Sequence, residues 1–236
     1  NVLMKILGII TARGGSKGVP GKNIKLLGDI SLLSYTAHAA NQSKLLHKTI
    51  LSSDDAAIID VAKNEQIEVP FVRPNELAND TATSISVVQH ALTYLESIGE
   101  YYDAVCLLQP TSPFREKGFV DTAIQKFIAD DADALVSVLP VPHEFNPHWV
   151  FEPNSSGFLQ ISTGEKIIIS RRQDLPKSYF RDGSVYITKT AFLKKGSFYG
   201  EKLSFIESNP DFYVNIDTLK DWEIAENKLH FLKDKL

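Results

Sequence analysis

Residues 5–23 read KILGIITARGGSKGVPGKN, and the change of character at Thr11 carries the fold. Residues 6–10 form a short apolar run rich in isoleucine, the composition of a buried strand. Residues 11–23 then bring four glycines and three cations, Arg13, Lys17 and Lys22. Glycine lets the backbone turn sharply and leaves its N–H groups open. A cationic glycine loop at the carboxyl end of a parallel strand is suited to holding polyphosphate. Pro20 stiffens the segment, and Asn23 can bond either the turn or the sugar of a ligand.

The spacing excludes two common phosphate motifs. A Walker loop requires G-x-x-x-x-G-K-[ST]; here Ser16 stands at the first glycine position and Asn23 follows Lys22. The G-x-G-x-x-G dinucleotide fingerprint is absent from the loop. A phosphate cradle of another kind is expected, with a basic surface loop as the plainer alternative.

Outward from this loop, strand and helix signals alternate. Ser31 is placed to cap a helix reaching about Ser43, with Leu33, Ala37 and Ala40 on one face. A second strand is expected over residues 48–52; Ser53, Asp54 and Asp55 then open a helix carrying Ile58, Ile59 and Ala62. A third strand is expected over residues 68–72. A helix from about Ser84 aligns Ile85, Val88, Leu92 and Leu95. A strand over residues 104–108, a helix over 119–127 and a strand over 134–139 follow. The alternation predicts an α/β fold: a doubly wound, mainly parallel sheet with helices on both faces, residues 4–236 forming one domain.

Residues 140–182 break the rhythm with Pro140, Pro142, Pro147, Pro153 and Pro176. This insertion cannot complete a core of its own and is expected to pack on the main sheet or on another chain. Strands resume over residues 183–189 and 203–207. Residues 213–217 lead into a last helix with Trp222, Ala225, Leu229 and Leu232 on one face.

The chain has 25 Lys and Arg against 29 Asp and Glu, a formal charge of −4. That mild acidity argues against a nucleic-acid partner and makes the basic loop a local feature aimed at a small anion. The lone cysteine, Cys106, lies in an apolar run and is expected in the core; no intrachain disulfide is possible, which suits a cytoplasmic protein. Lys5 interrupts the apolar start, so no signal peptide is read there. No run approaches the roughly 20 apolar residues of a membrane helix. Residues 1–3 precede Met4 and are left out of the functional reading.

In open α/β sheets, ligands bind beyond the carboxyl ends of the strands. The strand over 104–108 ends in Gln109-Pro-Thr-Ser-Pro-Phe-Arg115. Its two prolines lock a turn that presents Gln109, Thr111 and Ser112, with Arg115 behind. A hydrogen-bonded turn accounts for Thr111 and Ser112, whereas an arginine beside a locked turn suggests anion contact. His143 and His148 lie five apart in PHEFNPHW, which is not metal spacing on a helix, and are read as structural loop residues near Trp149, with a place for one of them beside the ligand as the alternative. Neither G-x-S-x-G nor CxxC occurs.

ARGGSKGVPGKN resembles the N-terminal motif of the CMP-sialic acid synthetases, or acylneuraminate cytidylyltransferases. QPTSPFR is similar to a second motif of that family. Residues 73–80, RPNELAND, with Thr83 and Ser84, resemble a third. Residues 52–54 (SSD) resemble a fourth, where a helix cap serves as well as ligand contact; Asp54 is left outside the site. RRQDLP at 171–176 and DGSVY at 182–186 resemble the segment that lines the sugar pocket and carries the dimer contact. The family's Asp-x-Asp metal pair corresponds to Asn215 and Asp217, with an amide at the first position.

The resemblance implies a Rossmann-like nucleotidyltransferase that joins CTP to a nonulosonic acid of the sialic type and releases pyrophosphate. Arg13, Gly14, Gly15, Ser16, Lys22, Asn23, Arg73 and Ser84 would bind the nucleotide. Gln109, Thr111, Ser112, Arg115, Arg172 and Tyr186 would meet the acidic nine-carbon sugar, with Arg171 competing with Arg172. Asp217 and Asn215 would hold Mg2+, unless Asp217 or Thr218 caps the last helix instead. Arg13, Lys22 and Asp217 would carry catalysis. A homodimer formed through residues 140–182 is expected, with neither nucleic acid nor membrane as partner. The alternatives are a nucleotidyltransferase for 3-deoxy-manno-octulosonate or another sugar, and a non-catalytic nucleotide-binding relative.

Overall fold

A computed structural model of the chain describes residues 4–236; Asn1, Val2 and Leu3 lie outside the described residues. In chain order the strands are β1 (Ile6–Thr11), β2 (Leu26–Leu27), β3 (Ile30–Ser31), β4 (Lys48–Ser52), β5 (Ala104–Leu108), β6 (Ala134–Pro140), β7 (Phe151–Pro153), β8 (Leu159–Ile161), β9 (Tyr179–Lys189) and β10 (Leu203–Glu207). The helices are α1 (Leu32–Gln42), α2 (Ala56–Asn64), α3 (Ser84–Ser97), α4 (Phe119–Ala129), α5 (Thr190–Lys194) and α6 (Leu219–Leu232).

Six strands form the main sheet in the order β10-β6-β9-β5-β1-β4. β1 lies parallel to both β4 and β5, so all three end at the same edge. β9 runs antiparallel to β5, with Ala104 opposite Lys189 and Leu107 opposite Tyr186. Its N-terminal half therefore approaches the carboxyl end of β5.

The apolar alternation sorts side chains to two faces. One face packs Leu33 and Ala37 of α1, Ile58 of α2 and Phe127 of α4 against Ile10 and Leu108. The other packs Val88, Leu92 and Leu95 of α3 against Leu7, Ile9 and Leu107. A third cluster joins Val19 of the basic loop, Phe114, Val214, Ile216 and Trp222. Burying side chains of this size stabilises by about 1.5–3 kcal/mol each, which anchors three sequence-distant segments at one place.

Helix starts follow their caps. Ser31 accepts from the Ser34 N–H at 3.2 Å to begin α1, as expected. Asp55 caps α2 and Thr83 caps α3. The strand expected over residues 68–72 is reduced to a single parallel bridge between Ile50 and Glu68. Pro70 has no N–H to donate, so the ladder ends there.

The described chain separates into two compact units, one of residues 4–137 and 182–236, the other Val138–Arg181. Within the second, β7 and β8 form an antiparallel hairpin. The Trp149 indole donates to the Ile169 carbonyl at 2.6 Å, and His148 Nδ1 meets Glu165 Oε1 at 2.5 Å. Phe145, Phe158, Leu159 and Ile167 are exposed in this unit. Among the described residues no helix is long and apolar enough to cross a membrane.

Candidate active site

The basic loop leaves β1 beside β4, and its first turn is held from below. The Gly14 N–H donates to Asp54 Oδ1 at 3.2 Å. The Asn23 amide donates to the Arg13 carbonyl at 3.1 Å and so closes the loop on itself. Asn23 is buried, so its amide bonds the turn, the first of the two options its residue type allows. Gly21 has a φ of +62°, a conformation that side chains resist. Gly18 is required for a different reason: a Cβ there would lie 1.9 Å from the Asp217 carbonyl oxygen. The N–H groups of Gly15, Lys17 and Gly18 have no protein acceptor among the described residues, as a phosphate cradle needs.

The segment ahead of α6 is drawn to this loop by backbone as well as side chains. The Ile216 N–H donates to the Thr111 carbonyl at 2.8 Å. Lys22 Nζ donates to the Ile216 carbonyl at 2.7 Å and lies 3.4 Å from Asp217 Oδ1. The Asn215 amide donates to Asp217 Oδ2 at 2.6 Å, so both side chains share one face. Thr218 caps α6, with Asp221 completing a reciprocal capping box. That leaves the Asp217 carboxylate outside the cap and 61% exposed. The Thr218 hydroxyl and the Asp217 and Thr218 N–H groups hold the Asp221 carboxyl below its ordinary pKa.

On the other flank of the loop, a cavity of about 230 Å³ is lined by Thr11, Arg13, Arg73, Asp80, Ser84 and their neighbours. Arg73 is buried; its Nε donates to Ser52 Oγ at 3.0 Å. Burial lowers its pKa to about 10, which leaves it charged at neutral pH. Ser84 stands at the first turn of α3, free of the cap that Thr83 supplies. Arg13 pairs with Asp80 at 2.8 Å, and Lys17 pairs with the same carboxylate.

Two expectations need correction. Arg115 is fully enclosed, not presented to an anion: it donates to the Ser184 carbonyl at 2.8 Å and to Thr36 Oγ1 and the Gln109 carbonyl at 3.1 Å each. Ser112 is buried and donates to the Asp182 carbonyl at 3.3 Å. Both hold the proline turn against β9, because a turn packed on a strand must satisfy its inner polar groups internally. Gly183 permits the approach, since a Cβ there would lie 2.6 Å from Ser112 Oγ. Gln109 and Thr111 remain half-buried at the strand end. Tyr186 lies opposite Leu107 in mid-strand, with its ring 6.4 Å from that of Phe198 in the α3-side core.

Arg172 belongs to the second unit, in a short turn Arg172–Asp174. Arg171 is occupied by Asp174 through contacts of 2.7 and 3.0 Å, whereas Arg172 is exposed and makes no ion pair among the described residues. Asp54, Asp80 and Asp182 adjoin these residues, and the sequence did not mark them as part of the site. Asp80 was visible only as the last letter of RPNELAND. Asp182 is a buried carboxylate that accepts from Ser137, the Ser184 N–H and the Ser184 hydroxyl.

The cytidylyltransferase family model matches residues 7–223, a span that includes every element of this arrangement. The chain belongs to the cytidylyltransferase family. It is 35% identical over 224 residues to the pseudaminic acid cytidylyltransferase of Campylobacter jejuni, covering 94% of this chain and 95% of the relative. It is 32% identical to the CMP-N,N'-diacetyllegionaminic acid synthase of Legionella pneumophila, over 99% of this chain and all of that protein. The N-acylneuraminate cytidylyltransferase of Escherichia coli is 31% identical, with 51% of its length covered. Among solved structures, a CMP:2-keto-3-deoxy-manno-octonic acid synthetase complexed with CTP superposes with a TM-score of 0.69 at 15% identity, covering 98% of this chain and 100% of that one. The 4-diphosphocytidyl-2C-methyl-D-erythritol synthase of Anaerococcus prevotii gives the same score and identity, covering 96% and 99%. These two likenesses establish a shared cytidylyltransferase fold.

The described residues contain no cluster of three or more His, Cys, Asp or Glu able to hold a metal. A magnesium ion does not need one: it is commonly bound by one or two carboxylates together with substrate phosphates and water. The Asp217 carboxylate fits that donor set, and the Asn215 side chain beside it carries an amide oxygen of the right type.

Proposed function

We propose that this cytidylyltransferase activates a nine-carbon nonulosonic acid: CTP and the sugar acid give the CMP-sugar and pyrophosphate. The observation that carries the reading is the convergence of Lys22 on Ile216 and Asp217, which joins the phosphate-type loop to an exposed acidic segment ahead of α6. The three relatives quoted are nearly equal in identity and differ in sugar. What their sugars share is the 2-keto acid end, and the reading is carried to that end alone.

In this reading the C2 hydroxyl of the sugar attacks the α-phosphorus in line, forming one P–O bond as the bond to pyrophosphate breaks. Such transfer depends on positioning and charge stabilisation. The open N–H groups of the loop receive phosphate oxygens, and the Arg13 and Lys22 cations offset charge on the departing pyrophosphate. Arg73 and Ser84 hold the nucleoside in the cavity of about 230 Å³. Gln109 and Thr111 face the sugar from the end of β5. Asp217 and Asn215 would hold Mg2+, which when bound neutralises phosphate charge and steadies the leaving group.

The exposed Phe145, Phe158, Leu159 and Ile167 of the second unit support a homodimer covered by a second copy of this chain. Cys106 is a free, buried thiol, which suits a reducing cytoplasm. A pyrophosphate-release assay with CTP, Mg2+ and a panel of pseudaminic, legionaminic and N-acetylneuraminic acids tests the activity. Lys22→Ala and Asp217→Ala are each expected to lower turnover by about 100-fold or more with the fold intact. Near-wild-type rates in both would sink the assignment, and light scattering tests the dimer.

A further inference from the structure

The three cations of the basic loop are all engaged by carboxylates of the same chain. Lys22 meets Asp217, while Arg13 and Lys17 share Asp80. Asp80 also lines the cavity beside Arg73 and Ser84, where a fixed negative charge opposes the entry of a polyanion. The turn that carries it is tied internally. Asn79 Oδ1 accepts from the Thr81 N–H and hydroxyl at 2.9 and 2.7 Å and from the Ala82 N–H at 2.9 Å. Apart from the ion pairs, Arg13 Nη1 to the Ala78 carbonyl, at 3.4 Å, is the link from this turn to the loop among the described residues.

We infer that Asp80 is a resident counter-anion, whose carboxylate competes with ligand phosphates for Arg13 and Lys17 and so sets which anions the loop accepts. This rests on the assignment of the loop to the triphosphate of CTP. The Arg13, Lys17 and Asp80 side chains are 35%, 81% and 47% exposed, so the pairs are open to exchange and individually weak. A small anion that meets the loop alone must displace Asp80 with nothing else to gain. CTP adds contacts in the cavity and at Asp217, and these compensate. The same two cations hold the Asp80 carboxyl below its ordinary pKa, so the competing charge persists at neutral pH. Asp80 thus discriminates CTP from free phosphate and from the pyrophosphate product.

Isothermal titration of inorganic pyrophosphate and of Mg2+–CTP into the wild type, Asp80→Asn, Asp80→Ala and Asp80→Glu decides the matter. The Asn and Ala variants should bind pyrophosphate about tenfold more tightly, CTP by a smaller factor, and the Glu variant like wild type. A gain of affinity cannot come from misfolding. Unchanged or weaker pyrophosphate binding in both neutral variants overturns the inference, because Asp80 would then be orienting the cations. If no protein binds CTP while the neutral variants still gain pyrophosphate affinity, the CTP assignment fails and the counter-anion role stands. Binding of neither ligand by any of the proteins removes both.

Discussion

Lys22 donates from Nζ to the carbonyl oxygen of Ile216 at 2.7 Å, across 194 residues of chain. Its ammonium is thereby aimed at Asp217, and the first loop and the last inter-element segment become a single surface. The side chain of Lys22 is only 13% exposed, so its position is set by packing and not by solvent.

Gly18 sits at the closest approach between those two segments. In Gly18→Ala the new methyl would meet the Asp217 carbonyl at 1.9 Å, and the loop must move away. Turnover is expected to fall about tenfold or more, because small displacements of positioned groups are costly. The melting temperature should fall as well, since the adjacent Val19 is anchored in the third core cluster. Steady-state kinetics beside a thermal melt separate the two effects.

Asn215→Asp places a second carboxylate where an amide now donates to Asp217 at 2.6 Å. Two adjacent carboxylates repel each other and raise the demand for a cation. The Mg2+ concentration for half-maximal rate should drop at least about threefold. The variant should also melt lower than wild type in EDTA and regain stability with Mg2+, a readout independent of turnover.

Arg115→Met removes a buried cation and takes a donor from the Ser184 carbonyl, from Thr36 Oγ1 and from the Gln109 carbonyl, which keeps the Ser112 N–H. Leaving a buried acceptor unsatisfied costs about 1–3 kcal/mol for each group. For a chain of this length the melting temperature should fall by about 10 °C. A variant as stable as wild type would show that Arg115 does not brace the proline turn.

The Asp221 carboxyl is held below its ordinary value of 3.8, mainly by the Thr218 hydroxyl. A depressed carboxyl stabilises the fold fully above its unfolded pKa and loses that contribution as pH falls through its folded pKa. Wild type should therefore melt higher than Asp221→Ala at pH 7, and the gap should close as the pH is taken below 3.8 toward the folded value. A gap that persists in acid would mean the cap acts without its charge.

Much of the architecture was legible because helices and strands announce themselves through local patterns. Ser31 before α1 and the apolar spacing of α3 are examples. The strand over residues 68–72 misled because its composition suits a sheet, while Pro70 withholds the donor a ladder needs. Arg115 and Ser112 misled for another reason. A polar residue at a strand end reads the same whether it faces a ligand or its own backbone, and burial against β9 decides between them. The cap of α6 was open between Asp217 and Thr218 in the sequence, and the structure gives it to Thr218.

The KILGIITARGGSKGVPGKN stretch determined on its own that a buried strand delivers a cationic, glycine-rich loop, because hydrophobic pattern and backbone freedom are properties of neighbouring residues. Which carboxylates that loop would meet was decided only by the tertiary structure. Asp54, Asp80 and Asp217 reach Gly14, Arg13, Lys17 and Lys22 from three other segments. Packing of β4, β5 and α6 brings those segments to one edge, and no local pattern records the meeting, because the contacts follow from burial of distant apolar faces.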